Sequence, residues 1–175
     1  MAGLNKIKLI IFDFDGTLVD SKKFHKQGLI NSLKKEGIHV KNSYINQNLG
    51  KKTSEILKGL HITKKEKIKR ILKDIDNEKR ENIGKVRLIG KSKETIKRLK
   101  NYHLAIISNA ETDFVKKICK REDISKYFKK ILGAEKFKDK ATAIKKLMKK
   151  HNYKKNQIIF IGDRFSDILR GKQAG

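Results

Sequence analysis

Asp13 and Asp15 stand one residue apart, directly after the apolar run Leu9-Ile10-Ile11-Phe12 and directly before Gly16-Thr17. Side chains alternate along an extended segment, so both carboxylates start on one face while Phe14 turns away. Core packing has no use for two acids in this place. Their mutual repulsion and partial burial are tolerated when a cation or a reacting centre offsets them. Gly16 permits a tight turn, and Thr17 adds a hydroxyl and a backbone N–H just past it. Such a pair can hold Mg²⁺, which prefers oxygen ligands and keeps several waters. Alternatively, one carboxylate attacks phosphorus while the other moves a proton. Taken alone, the stretch also fits an ordinary Asp-x-Asp-Gly turn.

A second acidic pair closes the apolar run Phe160-Ile161, in Gly162-Asp163-Arg164-Phe165-Ser166-Asp167. With Asp163 at a strand end and Asp167 four residues on, both side chains reach one pocket once a helix starts between them. The plainer reading is a helix cap with a first-turn acid that suits the helix dipole. A third polar turn follows Ile106-Ile107, where Ser108-Asn109 offer a hydroxyl, an amide and exposed backbone N–H groups. A helix beginning there would make an anion cradle, although Ser-Asn is also a common cap.

These turns need strand ends to carry them. Apolar runs predict strands at Ile7–Phe12, His103–Ser108, Lys130–Leu132 and Gln157–Gly162. Helical patterns fill Lys91–Lys100, Glu111–Lys120, Ala141–Lys150 and Phe165–Gln173. The alternation predicts an α/β fold: a Rossmann-like parallel sheet flanked by helices. In such sheets ligands bind at the carboxyl ends of the strands, where all three polar turns fall. Residues 21 to 86 break the pattern: Leu29, Leu33, Ile56, Leu57, Leu60, Ile68, Ile71, Leu72 and Ile75 recur at helical spacing. The expected organisation is therefore a core of residues 1–20 and 87–175, interrupted by a helical cap at 21–86 placed to act as a lid.

Length and composition set the outer bounds. A chain of 175 residues allows one medium domain with an insertion. No run approaches the ~18 apolar residues of a membrane span, and the start is too short and too acidic for a signal peptide. The single cysteine, Cys119, cannot form an intramolecular disulfide, which fits a cytoplasmic protein. A net charge of +26 invites a nucleic-acid reading. Yet the basic residues are spread along the whole chain, and only seven of the 45 are arginine, the usual reader of guanine edges. Aromatic residues do not interleave with a basic stripe as a stacking platform requires. A solvated lysine coat is the expectation, with no specific nucleic-acid partner and no membrane.

Asp13-Phe14-Asp15-Gly16-Thr17, the Ser108-Asn109 turn, a downstream lysine and Gly162-Asp163…Asp167 together resemble the four motifs of the haloacid-dehalogenase-type hydrolases. The layout is similar to their phosphoglycolate-phosphatase-like branch, which carries a helical cap between the first two motifs. The resemblance implies a Mg²⁺-dependent phosphatase that hydrolyses a small phosphorylated metabolite through a phosphoaspartyl intermediate. It implies Asp13 as nucleophile and Asp15 as general acid and then base, with its carbonyl also reaching Mg²⁺. Gly16, Thr17, Ser108 and Asn109 would bind the phosphoryl oxygens, and Asp163 and Asp167 would hold Mg²⁺ with Asp13. The family lysine falls in Phe137-Lys138-Asp139-Lys140-Ala141. Gapless counting from Asp163 selects Lys138, whereas a lysine opening the next helix selects Lys140; Lys140 is taken as catalytic and Lys138 as phosphate-binding. Such relatives continue past the equivalent of Gly175 into another strand and helix, so either the sequence is truncated there or the expected sheet is one strand short. Dehalogenases lack the second aspartate and phosphonate-cleaving relatives replace it with a small residue, so Asp15 argues against both. A sugar-phosphate mutase keeps both acids and remains the alternative enzyme; a basic nucleic-acid-binding protein on an inactive phosphatase fold is the alternative from another class. The quaternary expectation is a monomer or homodimer.

Overall fold

The computed structural model describes residues 6–175. The chain divides into two compact units: one runs to Val19 and resumes at Leu88, and the other spans Asp20–Arg87.

The first unit is built on a four-stranded sheet in the order β5-β4-β1-β6. Its strands are β1 (Leu9–Phe12), β4 (His103–Ile107), β5 (Phe128–Leu132) and β6 (Ile158–Ile161). All pairings are parallel: Leu9 to Phe12 match His103 to Ile106 on one side and Ile158 to Ile161 on the other. β1 is central because its four residues are all apolar and all buried, as a strand covered on both faces must be. One face of the sheet offers Leu9, Ile11, Ala105 and Ile107 to a core completed by Phe137, Ala141, Ala143, Ile144, Leu147 and Ala174. These come from α7 (Lys140–His151), α8 (Phe165–Ala174) and the loop before α7. The alternate residues Ile10, Phe12, Leu104 and Ile106 point the other way. There Phe12 meets Phe128 edge to face, centroids 6.3 Å apart.

α5 (Ser92–Arg98) and α6 (Thr112–Arg121) also belong to this unit. β5 lies at one edge of the sheet, and its second and third residues, Lys129 and Lys130, are exposed. β6 lies at the other edge and is only partly covered. Beside it Phe165, Ile168 and Leu169 of α8 are exposed, as is Ile161.

Two short strands the sequence does not announce, β2 (Val19–Asp20) and β3 (Arg87–Leu88), pair where the chain leaves and re-enters the first unit. Between them lie α1 (Lys22–Lys35), α2 (Asn42–Asn48), α3 (Thr53–Gly59) and α4 (Lys65–Asn82). This helical unit has its own core of Leu29, Leu33, Ile45, Ile56, Leu57, Ile71 and Ile75. Among the described residues no helix is long and apolar enough to cross a membrane.

Candidate active site

Asp13 is the first residue past β1. Its N–H donates to the Ile161 carbonyl at 2.7 Å, which brings it beside Gly162-Asp163 at the end of β6. The chain then turns sharply: the N–H groups of Leu18 and Val19 donate to the Phe14 carbonyl at 2.9 and 3.1 Å. Gly16 takes φ +85° in this turn, a left-handed conformation that favours glycine. Asp15 is thereby half-buried, while Asp13 is 4% exposed.

Lys140 opens α7, whose start is fixed by Asp139: its carboxylate accepts from the Thr142 N–H and hydroxyl, each at 2.9 Å. A lysine in the first turn opposes the helix dipole, and this one is buried as well. Both costs are offset by carboxylates. The Nζ lies 2.8 Å from Asp13 Oδ2 and 2.7 Å from Asp167 Oδ1, and 5.7 Å from the centre of the Phe160 ring. Lys138, by contrast, is exposed, and the contacts to the carboxylates come from Lys140. The lysine between these two carboxylates is thus the one that opens the helix.

Asp167 sits in the first turn of α8, where its Oδ2 also accepts from the Arg164 N–H at 3.3 Å. A side chain on Gly162 would place Cβ 2.5 Å from Asp167 Cβ and 2.6 Å from its Oδ2, so only glycine lets Asp167 fold back. One carboxylate oxygen each from Asp13, Asp163 and Asp167 lies within 4.8 Å of the others. Asp163 is exposed, whereas Asp13 and Asp167 are buried.

At the end of β4 the Ser108 hydroxyl donates to Asp15 Oδ2 at 3.0 Å and accepts from the Ala110 N–H at 2.9 Å. Asn109 follows, half-buried. The Thr17 hydroxyl is buried and has no hydrogen-bond partner. A polar atom in that state is costly unless a ligand satisfies it.

The carboxylates of Asp13, Asp15, Asp163 and Asp167 outnumber the Lys140 ammonium beside them. Burial raises the Asp13 carboxyl to about 7, against the pull of Lys140 and with a further push from Asp167 and Asp15. Such a surplus of negative charge invites a divalent cation. Three carboxylate oxygens at this spacing are hard donors of the kind Mg²⁺ takes. The structure therefore brings together Asp13, Asp15, Ser108, Lys140, Asp163 and Asp167, with Gly16 and Thr17 in the adjoining turn. The sequence did not point to Phe160 beside Lys140, because an apolar strand residue carries no signal of what its ring faces.

The parallel sheet thus carries acidic turns at two strand ends, a hydroxyl at a third and a buried lysine between the acids. The sequence profile of the haloacid dehalogenase-like hydrolases matches residues 10–175, and the chain belongs to that family. Within it, the chain is similar to the phosphoglycolate-phosphatase-like branch. It is 35% identical over 88 residues to a phosphoglycolate phosphatase of Vibrio parahaemolyticus, an alignment spanning 47% of this chain but only 39% of that enzyme. It is 26% identical over 184 residues to the Aliivibrio fischeri phosphoglycolate phosphatase, covering 97% of this chain and 81% of that one. Its fold matches the crystal structure of a predicted phosphoglycolate phosphatase from Haemophilus somnus with a TM-score of 0.83 at 24% identity, covering 98% of this chain and 84% of that one.

Proposed function

We propose that this chain is a Mg²⁺-dependent phosphatase that hydrolyses a small phosphorylated metabolite through a phosphoaspartyl intermediate on Asp13. The observation that carries the reading is the buried Lys140 ammonium held between Asp13 and Asp167 beside a three-carboxylate cluster. A lysine in this position restrains Asp13, whose other carboxylate oxygen accepts from the Phe14 N–H at 2.7 Å, and offsets part of the charge an incoming phosphate brings.

In this reading Asp13 attacks phosphorus, the ester P–O bond breaks, and Asp15 gives its proton to the leaving oxygen. Asp15 then accepts a proton from water as the water oxygen attacks phosphorus, which frees Asp13 and releases phosphate. Ser108 holds Asp15 through the 3.0 Å hydrogen bond, and with Thr17, Asn109 and the Gly16 turn it orients the phosphoryl oxygens. Lys138, exposed two residues before Lys140, is the candidate for a further contact to the phosphate. Asp13, Asp163 and Asp167, with the Asp15 carbonyl, are the residues to hold Mg²⁺. Bound there, the ion would neutralise charge building on the phosphoryl group. The helical unit takes the role of the cap domain. A cytoplasmic setting goes with the reading, supported by Cys119, a buried free thiol pushed up to about 12 by burial.

The test is phosphate release from a panel of phosphorylated metabolites, phosphoglycolate included, with and without Mg²⁺. Asp15→Asn should take a phosphoryl group from p-nitrophenyl phosphate, whose leaving group needs little protonation, yet hydrolyse the phosphoenzyme slowly. Intact-mass spectrometry of the quenched variant reads the adduct. A sugar phosphate isomerised without phosphate release would replace this reading by the mutase.

A further inference from the structure

The turn that carries Ser108 and Asn109 is tied to the end of β5 by contacts in which no motif side chain takes part. The Ser108 N–H donates to the Leu132 carbonyl at 3.0 Å, and the Ala134 N–H donates to the Ala110 carbonyl at 2.9 Å. The Gly133 N–H donates to the Thr112 hydroxyl oxygen at 2.9 Å. That hydroxyl spends its proton on Glu135 Oε1, and the Thr112 N–H donates to Glu135 Oε2 at 3.3 Å. Thr112 is 6% exposed, so its polar atoms depend on these partners. Glu135 in turn satisfies an N–H in the first turn of α6, which intrahelical bonding leaves open.

Gly133 shows how close this approach is. Its φ of −92° is ordinary for any residue. A Cβ there would nevertheless fall 2.1 Å from the Thr112 nitrogen and 2.7 Å from the Ala110 carbonyl oxygen. The glycine is needed for contact, because the end of β5 lies against the turn backbone to backbone. The contacts then run in sequence: Thr112 and Glu135 hold Gly133, Ala134 holds Ala110, and the Ala110 N–H holds the Ser108 hydroxyl that meets Asp15.

We propose that Thr112, with Glu135, is a positioning residue for the phosphoryl-binding turn at Ser108-Asn109, acting through Gly133 and Ala110. The assignment of a phosphoryl ligand rests on the phosphatase reading above. Thr112 touches neither Asp13 nor Asp15 and takes no part in proton transfer. Its loss weakens hold on the phosphoryl group more than it slows the chemistry.

The test compares Thr112→Val, which keeps the shape and removes the hydroxyl, with Thr112→Ser, which keeps the hydroxyl. For Thr112→Val, KM and the inhibition constant of inorganic phosphate should each rise roughly tenfold, with kcat within about threefold of wild type. Amide exchange at Gly133 and Ala110 should speed up roughly tenfold in the same variant. Thr112→Ser should bring all of these back to within about twofold of wild type. If Thr112→Val folds poorly, Glu135→Gln removes the charge but keeps the shape, and should move the same constants in the same direction by about threefold. A folded Thr112→Val with wild-type phosphate inhibition and wild-type Gly133 exchange overturns the proposal, as does failure of Thr112→Ser to rescue. Should the wild-type protein release phosphate from no ester, the phosphatase reading fails, and the exchange rates alone decide whether Thr112 holds the turn.

Discussion

Burial pushes the Asp13 carboxyl up to about 7, and the Lys140 ammonium 2.8 Å away counters that only in part. In the metal-free chain the folded state therefore binds a proton at Asp13 more tightly than the unfolded chain, whose value lies near 3.8. The stabilisation from this proton is fully present below about pH 4 and is lost as pH rises through 7. In EDTA, denaturant unfolding should show Asp13→Asn more stable than wild type at pH 8, by on the order of 2 kcal/mol, with the difference vanishing toward pH 4. A gap that does not change with pH would contradict this account. The same substitution removes the attacking charge with little change of shape. Phosphate release should fall at least ~10³-fold while the fold persists. More than a tenth of wild-type turnover in that variant would remove Asp13 from the role of nucleophile.

At the scale of elements, the close seat of Asp167 against the β6–α8 turn sets a sharper constraint than the acid itself. Gly162→Ala would drive Cβ to 2.6 Å from the Asp167 carboxylate. Asp167 must then swing out of its contact with Lys140, and titration with Mg²⁺ should show half-maximal activity at roughly tenfold higher concentration. Circular dichroism should still show a folded chain, and an unshifted Mg²⁺ curve would count against the role given to Asp167. The strand-end acids were legible in the sequence because carboxylates after fully apolar runs have no packing explanation. The difference between Lys138 and Lys140 was legible only in part: two residues of register separate an exposed lysine from a buried one, and the Asp139–Thr142 cap sets that register. β5 begins at Phe128, two residues before the predicted Lys130. Its register against β4 shifts between Leu104 and Ala105, so Lys129 and Lys130 are both exposed and the apolar-polar alternation is masked. β2, β3 and the Thr112–Glu135 pairing left no trace. Short pairings and contacts across 23 residues depend on the whole fold.

Over the whole molecule the surplus of 26 positive charges is spread along the chain, while the acids that matter meet at one set of strand ends. The two should separate in experiment. Retention on duplex DNA should be independent of sequence, fall steeply between low and physiological salt, and ignore EDTA. Phosphate turnover should vanish with EDTA and respond to salt mainly through substrate encounter. Salt-resistant binding to one nucleic-acid sequence, with no turnover of any ester, would reverse the assignment. The open edge at β6 has a further consequence, for colloidal behaviour. Phe165, Ile168 and Leu169 recur at helical spacing on one side of α8, 73%, 54% and 44% exposed, next to a strand whose outer backbone is unpaired among the described residues. Such a margin offers a second copy a place to pair, an approach that the net charge of +26 opposes in dilute buffer. At 1 M salt the screening length contracts to about 3 Å. Light scattering should then rise with salt for the wild-type chain and stay flat for Phe165→Lys. The solubility of the 175-residue chain should accordingly fall as ionic strength rises.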